Sequence, residues 1–166
     1  MKVARAARPA SFGLFAAAVL TAALFAYPAT ANAASVVATI NGGGTAIMDP
    51  SRSDLGLAGT TSFGIHATLY SDGTAKGHLH CVDQFGSTFP GNIFGEVTSW
   101  EENLDGSTTV NVVGEFVGHG GHPQDVSFSV TILSFGGAGS QWTLSIGAAT
   151  LCFETLRSGQ IVMRPS

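Results

Sequence analysis

The chain has 166 residues, seven of them basic and eleven acidic, and 45% of its residues are hydrophobic. This length fits one domain with a substantial core. After residue 33, four basic residues stand against eleven acidic ones, a formal charge of −7 that argues against nucleic acid or an anionic membrane surface as a partner.

The N-terminal segment has the three parts of a secretory signal peptide. These are a basic start, an apolar run and a small-residue cleavage motif: Lys2, Arg5 and Arg8; Phe12 to Phe25; and Ala31-Asn32-Ala33. We therefore predict a signal peptide over residues 1–33, a single mature domain over 34–166, and a secreted, extracellular protein. No later apolar run approaches the roughly 20 residues that span a bilayer, so we expect no membrane insertion once the signal is removed.

The mature region is dominated by alternating apolar and polar residues in short segments separated by Gly, Ser, Asn and Asp. This pattern is typical of an all-β domain. Glycines inside the alternating runs favour strong coiling, and so an antiparallel barrel, closed or partly open, of about eight or nine strands; a β-sandwich is the alternative. The predicted strands are Val36–Ile40, Thr61–Tyr70, Ala75–Gln84, Asn92–Glu101, Thr108–Val117, Val126–Ser134, Gln141–Ile146, Ala149–Thr155 and Gln160–Met163.

The turn dipeptide Asp72-Gly73 predicts a hairpin between the second and third of these strands. A two-residue loop would mix apolar and polar residues on both faces, whereas a three-residue loop, Asp72 to Thr74, keeps the faces consistent. That register pairs Ile65 with Cys81, Ala67 with Leu79, and Leu69 with Gly77. The residues that it turns inward are Phe63, Ile65, Ala67, Leu69, Leu79 and Cys81.

Cys81 and Cys152 are the two cysteines of the chain, and both lie in the predicted exported part. An oxidising compartment favours pairing them, so we predict a Cys81–Cys152 disulfide. Chain-entropy reasoning puts its stabilisation at roughly 4 kcal/mol. The alternatives are a pair of buried free thiols and disulfides between two chains.

The predicted hairpin register also places three histidines on its outer face. His66 falls opposite His80, with His78 two residues away. Imidazole nitrogens are common zinc and copper ligands, so His66, His78 and His80 form a candidate Zn or Cu site. The alternative is a solvated polar face without a metal.

No local motif predicts catalysis. The run Gly42-Gly43-Gly44-Thr45 lacks the lysine of a phosphate-binding loop, and no G-x-S-x-G elbow is present. The acidic residues outside the 101–105 turn are scattered along the chain and single out no carboxylate pair. We therefore assign no catalytic residue and no cofactor other than the candidate Zn or Cu.

Several short motifs, in this order, resemble small secreted bacterial β-rich modules known as post-COAP domains. The matching segments are Gly42-Gly43-Gly44-Thr45, Phe63-Gly64-Ile65, Asp72-Gly73 leading into Lys76-Gly77-His78-Leu79-His80-Cys81-Val82-Asp83, and Ser158-Gly159-Gln160-Ile161. The chain departs from the pattern at Cys81, where an aromatic residue is usual, and in a long Asp49 to Thr60 segment. The resemblance implies a non-enzymatic extracellular β module.

These observations predict a secreted all-β domain that acts by binding or as a structural component outside the cell, with an extracellular protein or a small ligand as its partner. One alternative is a barrel that binds a small apolar ligand in its interior. Another is a metal-dependent barrel enzyme that uses the histidine cluster.

Overall fold

The computed structural model describes residues 33–84 and 90–166. Ala33–Ser166 forms one compact unit. Apart from Ala33, the predicted signal peptide lies outside the described residues. In the ranges that are described, no helix is long and apolar enough to cross a membrane.

Eight antiparallel strands form a closed barrel in which each strand pairs with its neighbours along the chain and β1 pairs with β8. The predicted barrel is confirmed, and the β-sandwich alternative is wrong. The strands are β1 (Val36–Met48), β2 (Thr60–Tyr70), β3 (Thr74–Asp83), β4 (Gly91–Glu102), β5 (Thr108–Gly118), β6 (Gln124–Ile132), β7 (Gln141–Ile146) and β8 (Ala149–Pro165). A single short 3₁₀ turn, Pro50–Arg52, lies between β1 and β2 in the described part of the chain.

The last two predicted strands are one continuous strand, β8. A register shift lies where Thr45 pairs with Ser158 and Ala46 pairs with Leu156, which leaves one extra residue on β8. Such a bulge bends a strand without ending it. The polar and glycine residues at 157–159 therefore mark a bend inside a strand, where the sequence pattern had indicated a loop.

The glycine run of β1 lies at the seam between β1 and β8. A Cβ added to Gly44 would lie 2.0 Å from the carbonyl oxygen of Ser158, and one added to Gly159 would lie 2.0 Å from that of Gly43. Only glycine allows the two backbones to approach so closely. The run serves barrel closure, and β1 extends through it to Met48.

The β2–β3 hairpin has a three-residue loop, as predicted, but the loop is Ser71 to Gly73. Gly73 has φ +81° and occupies the left-handed position that ends such a loop. Moving the loop back by one residue shifts the strand pairing by two residues, so the predicted pairs are wrong. A shift of two residues leaves every side chain on the same face of the sheet, so the predicted faces are right. The observed pairs are Phe63 with Cys81, Ile65 with Leu79, His66 with His78, Ala67 with Gly77, and Leu69 with Ala75.

The barrel interior is filled by the alternate residues of each strand. All six side chains predicted to point inward from β2 and β3 are buried, as are Phe128, Val130 and Ile132 of β6. Trp142 is also buried, with its ring centroid 5.3 Å from that of Phe63. Ile146 alternates with Trp142 and Leu144 along β7, but it is 37% exposed because β7 ends there at the rim of the barrel.

Candidate functional site

A cavity of about 290 Å³ lies at the barrel end where β3 and β7 finish and β4 and β8 begin. Its walls are mainly apolar, with two cysteines and one carboxyl group among them. The lining residues are Leu55, Leu57, Cys81, Asp83, Gly91, Ile93, Phe116, Leu144, Ile146, Leu151 and Cys152. This is the size and composition of a small-ligand pocket.

The segment between β1 and β2 forms one side of this cavity and is fixed to the start of β8. Asp54 accepts a hydrogen bond from the Thr150 amide at 2.7 Å and donates its own amide to the Thr150 carbonyl at 2.8 Å. The Arg52 guanidinium carbon lies 3.3 Å from the centroid of the Phe153 ring. Leu57 packs against the core. The segment is thus a partial cover for the barrel end, held by both backbone and side chains.

A cluster of three polar side chains lies beside these apolar walls. The sulfur of Cys81 and one carboxylate oxygen each of Asp83 and Glu154 all lie within 4.8 Å of one another. Cys81 and Asp83 are alternate residues of β3, and Glu154 occupies an inward position of β8, so the closed sheet turns all three into the interior. In the described part of the chain, no other three His, Cys, Asp or Glu side chains bring their ligand atoms this close together.

Glu154 is fully buried, which is rare for a carboxyl group without a basic partner. Its Oε2 accepts a hydrogen bond of 2.6 Å from the Thr61 hydroxyl, and its Oε1 has no hydrogen-bond partner among the described residues. Trp142 is the cross-strand neighbour of Glu154. Its indole nitrogen is likewise buried and has no hydrogen-bond partner among the described residues. Unsatisfied buried polar atoms of this kind often mark the place of a missing ligand, ion or water.

Burial makes the charged forms of these groups unfavourable. It raises the pKa of Glu154 to about 7, with the Thr61 hydrogen bond acting in the opposite direction and Asp83 adding to the rise. Burial also raises the pKa of Asp83 to about 6. The pKa values of Cys81 and Cys152 lie above the ordinary thiol value, first because of burial and then because both carboxyl groups are nearby. No described basic side chain lowers these pKa values.

The predicted disulfide is wrong, because Cys81 and Cys152 are both free thiols. Cys81 projects inward from β3 and Cys152 from β8, and their sulfurs are not bonded to each other. Both are buried and line the cavity. Their raised pKa values favour the neutral thiol, which is a poor nucleophile.

The three histidines lie on the outer face of the barrel, as predicted, but with different neighbours. His66 is opposite His78, with 6.2 Å between ring centroids, and its Nδ1 is hydrogen-bonded to the Asn41 side chain at 2.7 Å. His80 lies opposite Gly64, and its ring covers that glycine. Zinc or copper binding by His66, His78 and His80 stays a prediction.

The carboxyl cluster was missed by sequence reasoning, which treated the acidic residues as scattered. A usable signal was present: Glu154 follows Cys152 by two positions in a strand, so the two must share a face. An acidic residue on an inward face is an exception to the alternation and a reason to look for function there.

The chain matches no family model, and no significant match was found among the curated proteins or the solved structures. The geometry defines the class of molecule as a closed, eight-stranded antiparallel barrel with a cavity at one end and a cluster of thiol and carboxyl groups beside it.

Proposed function

We propose that this protein is a secreted binding protein that holds a small, mainly apolar ligand in the end cavity of its barrel. The observation that carries the proposal is the cavity of about 290 Å³ with its apolar lining. The N-terminal signal pattern supports the extracellular location, and the resemblance to post-COAP domains implies a non-enzymatic module. The strongly acidic mature chain disfavours nucleic acid as the partner.

The cavity volume limits the size of the ligand. An engineered protein cavity of about 150 Å³ holds one benzene molecule, so a cavity about twice as large accommodates on the order of ten to fifteen non-hydrogen atoms. Leucine, isoleucine and phenylalanine side chains would contact its apolar part. Exposed Leu55 and Ile146 lie at the rim, where the ligand would enter.

The test uses 1-naphthylamine, an environment-sensitive dye that is within this size limit, titrated into the purified protein while its fluorescence is recorded. Ile93 projects into the cavity, and the next residue of β4, Phe94, points outward. We expect Ile93→Trp to weaken dye binding by at least about tenfold, because the larger ring occupies the cavity. Phe94→Trp is the matched control on the same strand and should bind the dye as the wild type does.

Thermal unfolding of both variants establishes that they are folded at the titration temperature. Absence of saturable dye binding by the wild type would overturn the proposal. Equal dye affinity of a folded Ile93→Trp and the wild type would also overturn it, because the dye would then bind elsewhere.

A further inference from the structure

The cluster of Cys81, Asp83 and Glu154 has the dimensions of a metal site. Zinc binds cysteine sulfur at about 2.3 Å and carboxylate oxygen at about 2.0–2.2 Å, so donor atoms in a tetrahedral site lie about 3.5 Å apart. The three donor atoms here all lie within 4.8 Å of one another. Small side-chain rotations would therefore bring them onto one cation, without a change in strand register.

When its two carboxyl groups are ionised, the cluster calls for a cation. Two carboxyl groups share a buried space, and no described basic side chain forms an ion pair with either of them. A buried carboxylate is strongly unfavourable unless it is paired or coordinates a metal. The unpartnered Oε1 of fully buried Glu154 supplies an acceptor that the protein itself leaves unused.

We propose that Cys81, Asp83 and Glu154 bind one divalent cation of the zinc type at the inner side of the end cavity. The single sulfur donor distinguishes this set from the all-oxygen sites that calcium and magnesium prefer. Three protein ligands leave a fourth tetrahedral position, and the cavity that Cys81 and Asp83 line lies beside it. An open fourth position is the arrangement in which zinc binds water or an exogenous ligand. The metal site does not depend on the binding of an apolar ligand.

The experiment is a zinc titration of the metal-free, reduced protein against a chromophoric chelator, with Co²⁺ as a spectroscopic probe. The variants are Cys81→Ser and Glu154→Gln, both close to the wild type in size. The control is the double variant His66→Gln, His78→Gln, which removes the two facing histidines of the outer surface. Far-ultraviolet circular dichroism establishes that each variant keeps its β structure.

We expect the wild type and the histidine variant to bind one zinc ion per chain. Both cluster variants should bind it roughly 100-fold more weakly, since loss of even an outer-shell partner commonly costs 10- to 100-fold. Cobalt should give a sulfur-to-metal charge-transfer band in the wild type, and Cys81→Ser should lack it. This band separates direct ligation by the thiol from an indirect structural effect.

Absence of zinc binding by the wild type would overturn the metal site. Zinc binding that survives in both cluster variants and is lost in the histidine variant would overturn it too, and would place the metal on the outer face. Dye titration of the same metal-free samples keeps the two proposals separate. Retained dye binding without zinc binding refutes only the metal site, and the reverse result refutes only the apolar-ligand proposal.

Discussion

Glu154→Gln should make the metal-free protein more stable than the wild type above pH 7 and should reduce the loss of stability that the wild type shows on going from pH 5 to pH 8. The pKa of Glu154 is raised from 4.5 to about 7, mainly by burial. Between these two values the folded protein holds a proton that the unfolded chain has released. Stability therefore falls as pH rises through this range, and the full penalty is present above the folded pKa.

The magnitude follows from the size of the shift. A rise from 4.5 to about 7 at 1.36 kcal/mol per pKa unit corresponds to about 3 kcal/mol. Gln has nearly the same shape and no charge, and it can still accept the Thr61 hydrogen bond. We therefore expect similar stability for the two proteins at pH 5 and an advantage of up to about 3 kcal/mol for Glu154→Gln at pH 8.

The free energy of unfolding is measured by equilibrium urea unfolding and detected by tryptophan fluorescence. The measurement is made from pH 4.5 to 8 with a chelator and a reductant present. Asp83, Cys81 and Cys152 face Glu154 and remain in the variant, so a residual slope from the raised pKa of Asp83 is expected in both proteins. Glu101→Gln, at an exposed end of β4, is the control and should follow the wild type. A stability difference between Glu154→Gln and the wild type that does not vary with pH would refute the reasoning.

Three further predictions concern the seam between β1 and β8, the two thiols and the core. Gly44→Ala should destabilise the protein by about 3 kcal/mol or more in urea unfolding, because its Cβ would meet backbone at 2.0 Å. Gly139→Ala, at φ +92° in open space, should cost about 1–2 kcal/mol. Equal costs for the two variants would contradict this account of the seam between β1 and β8. Because Cys81 and Cys152 are free and buried, a thiol-reactive chromogenic reagent should detect no fast-reacting thiol in the native protein. After unfolding without reductant it should detect two thiols per chain, and fewer than two would contradict the unbonded state. Leu144→Ala should lower the free energy of unfolding by about 2–5 kcal/mol, because this side chain is 2% exposed and its removal enlarges an existing cavity. A decrease below about 1 kcal/mol would contradict this, because it would mean that the core collapses around the site.

Strand faces were predictable because they follow from alternation alone. Phe63, Ile65, Leu79 and Cys81 are all buried, as the pattern requires. The register depends instead on where the loop ends, and a three-residue loop favours a left-handed residue at its last position. Gly73 is suited to that position and shows φ +81°, so placing it last would have given the observed pairing.

The composition of the site could not be derived in the same way. Asp83 and Glu154 lie far apart in the sequence, and their proximity depends on closure of the sheet between β1 and β8. Strand alternation specifies which face a residue occupies, but not which residue meets it across the barrel interior. The predicted secretory compartment suggested a disulfide for Cys81 and Cys152, whereas both are free thiols in the folded barrel.

The seam between the first and last strands has a consequence for how the chain folds. Thr45 and Ser158 are 113 residues apart and hydrogen-bonded, and the amide of the final residue, Ser166, donates to the Val37 carbonyl at 3.0 Å. The barrel therefore cannot close until β8 has been synthesised, and β1 has an unpaired edge until then. Contacts of such long range make folding slow, in the range of milliseconds to seconds for β-rich domains.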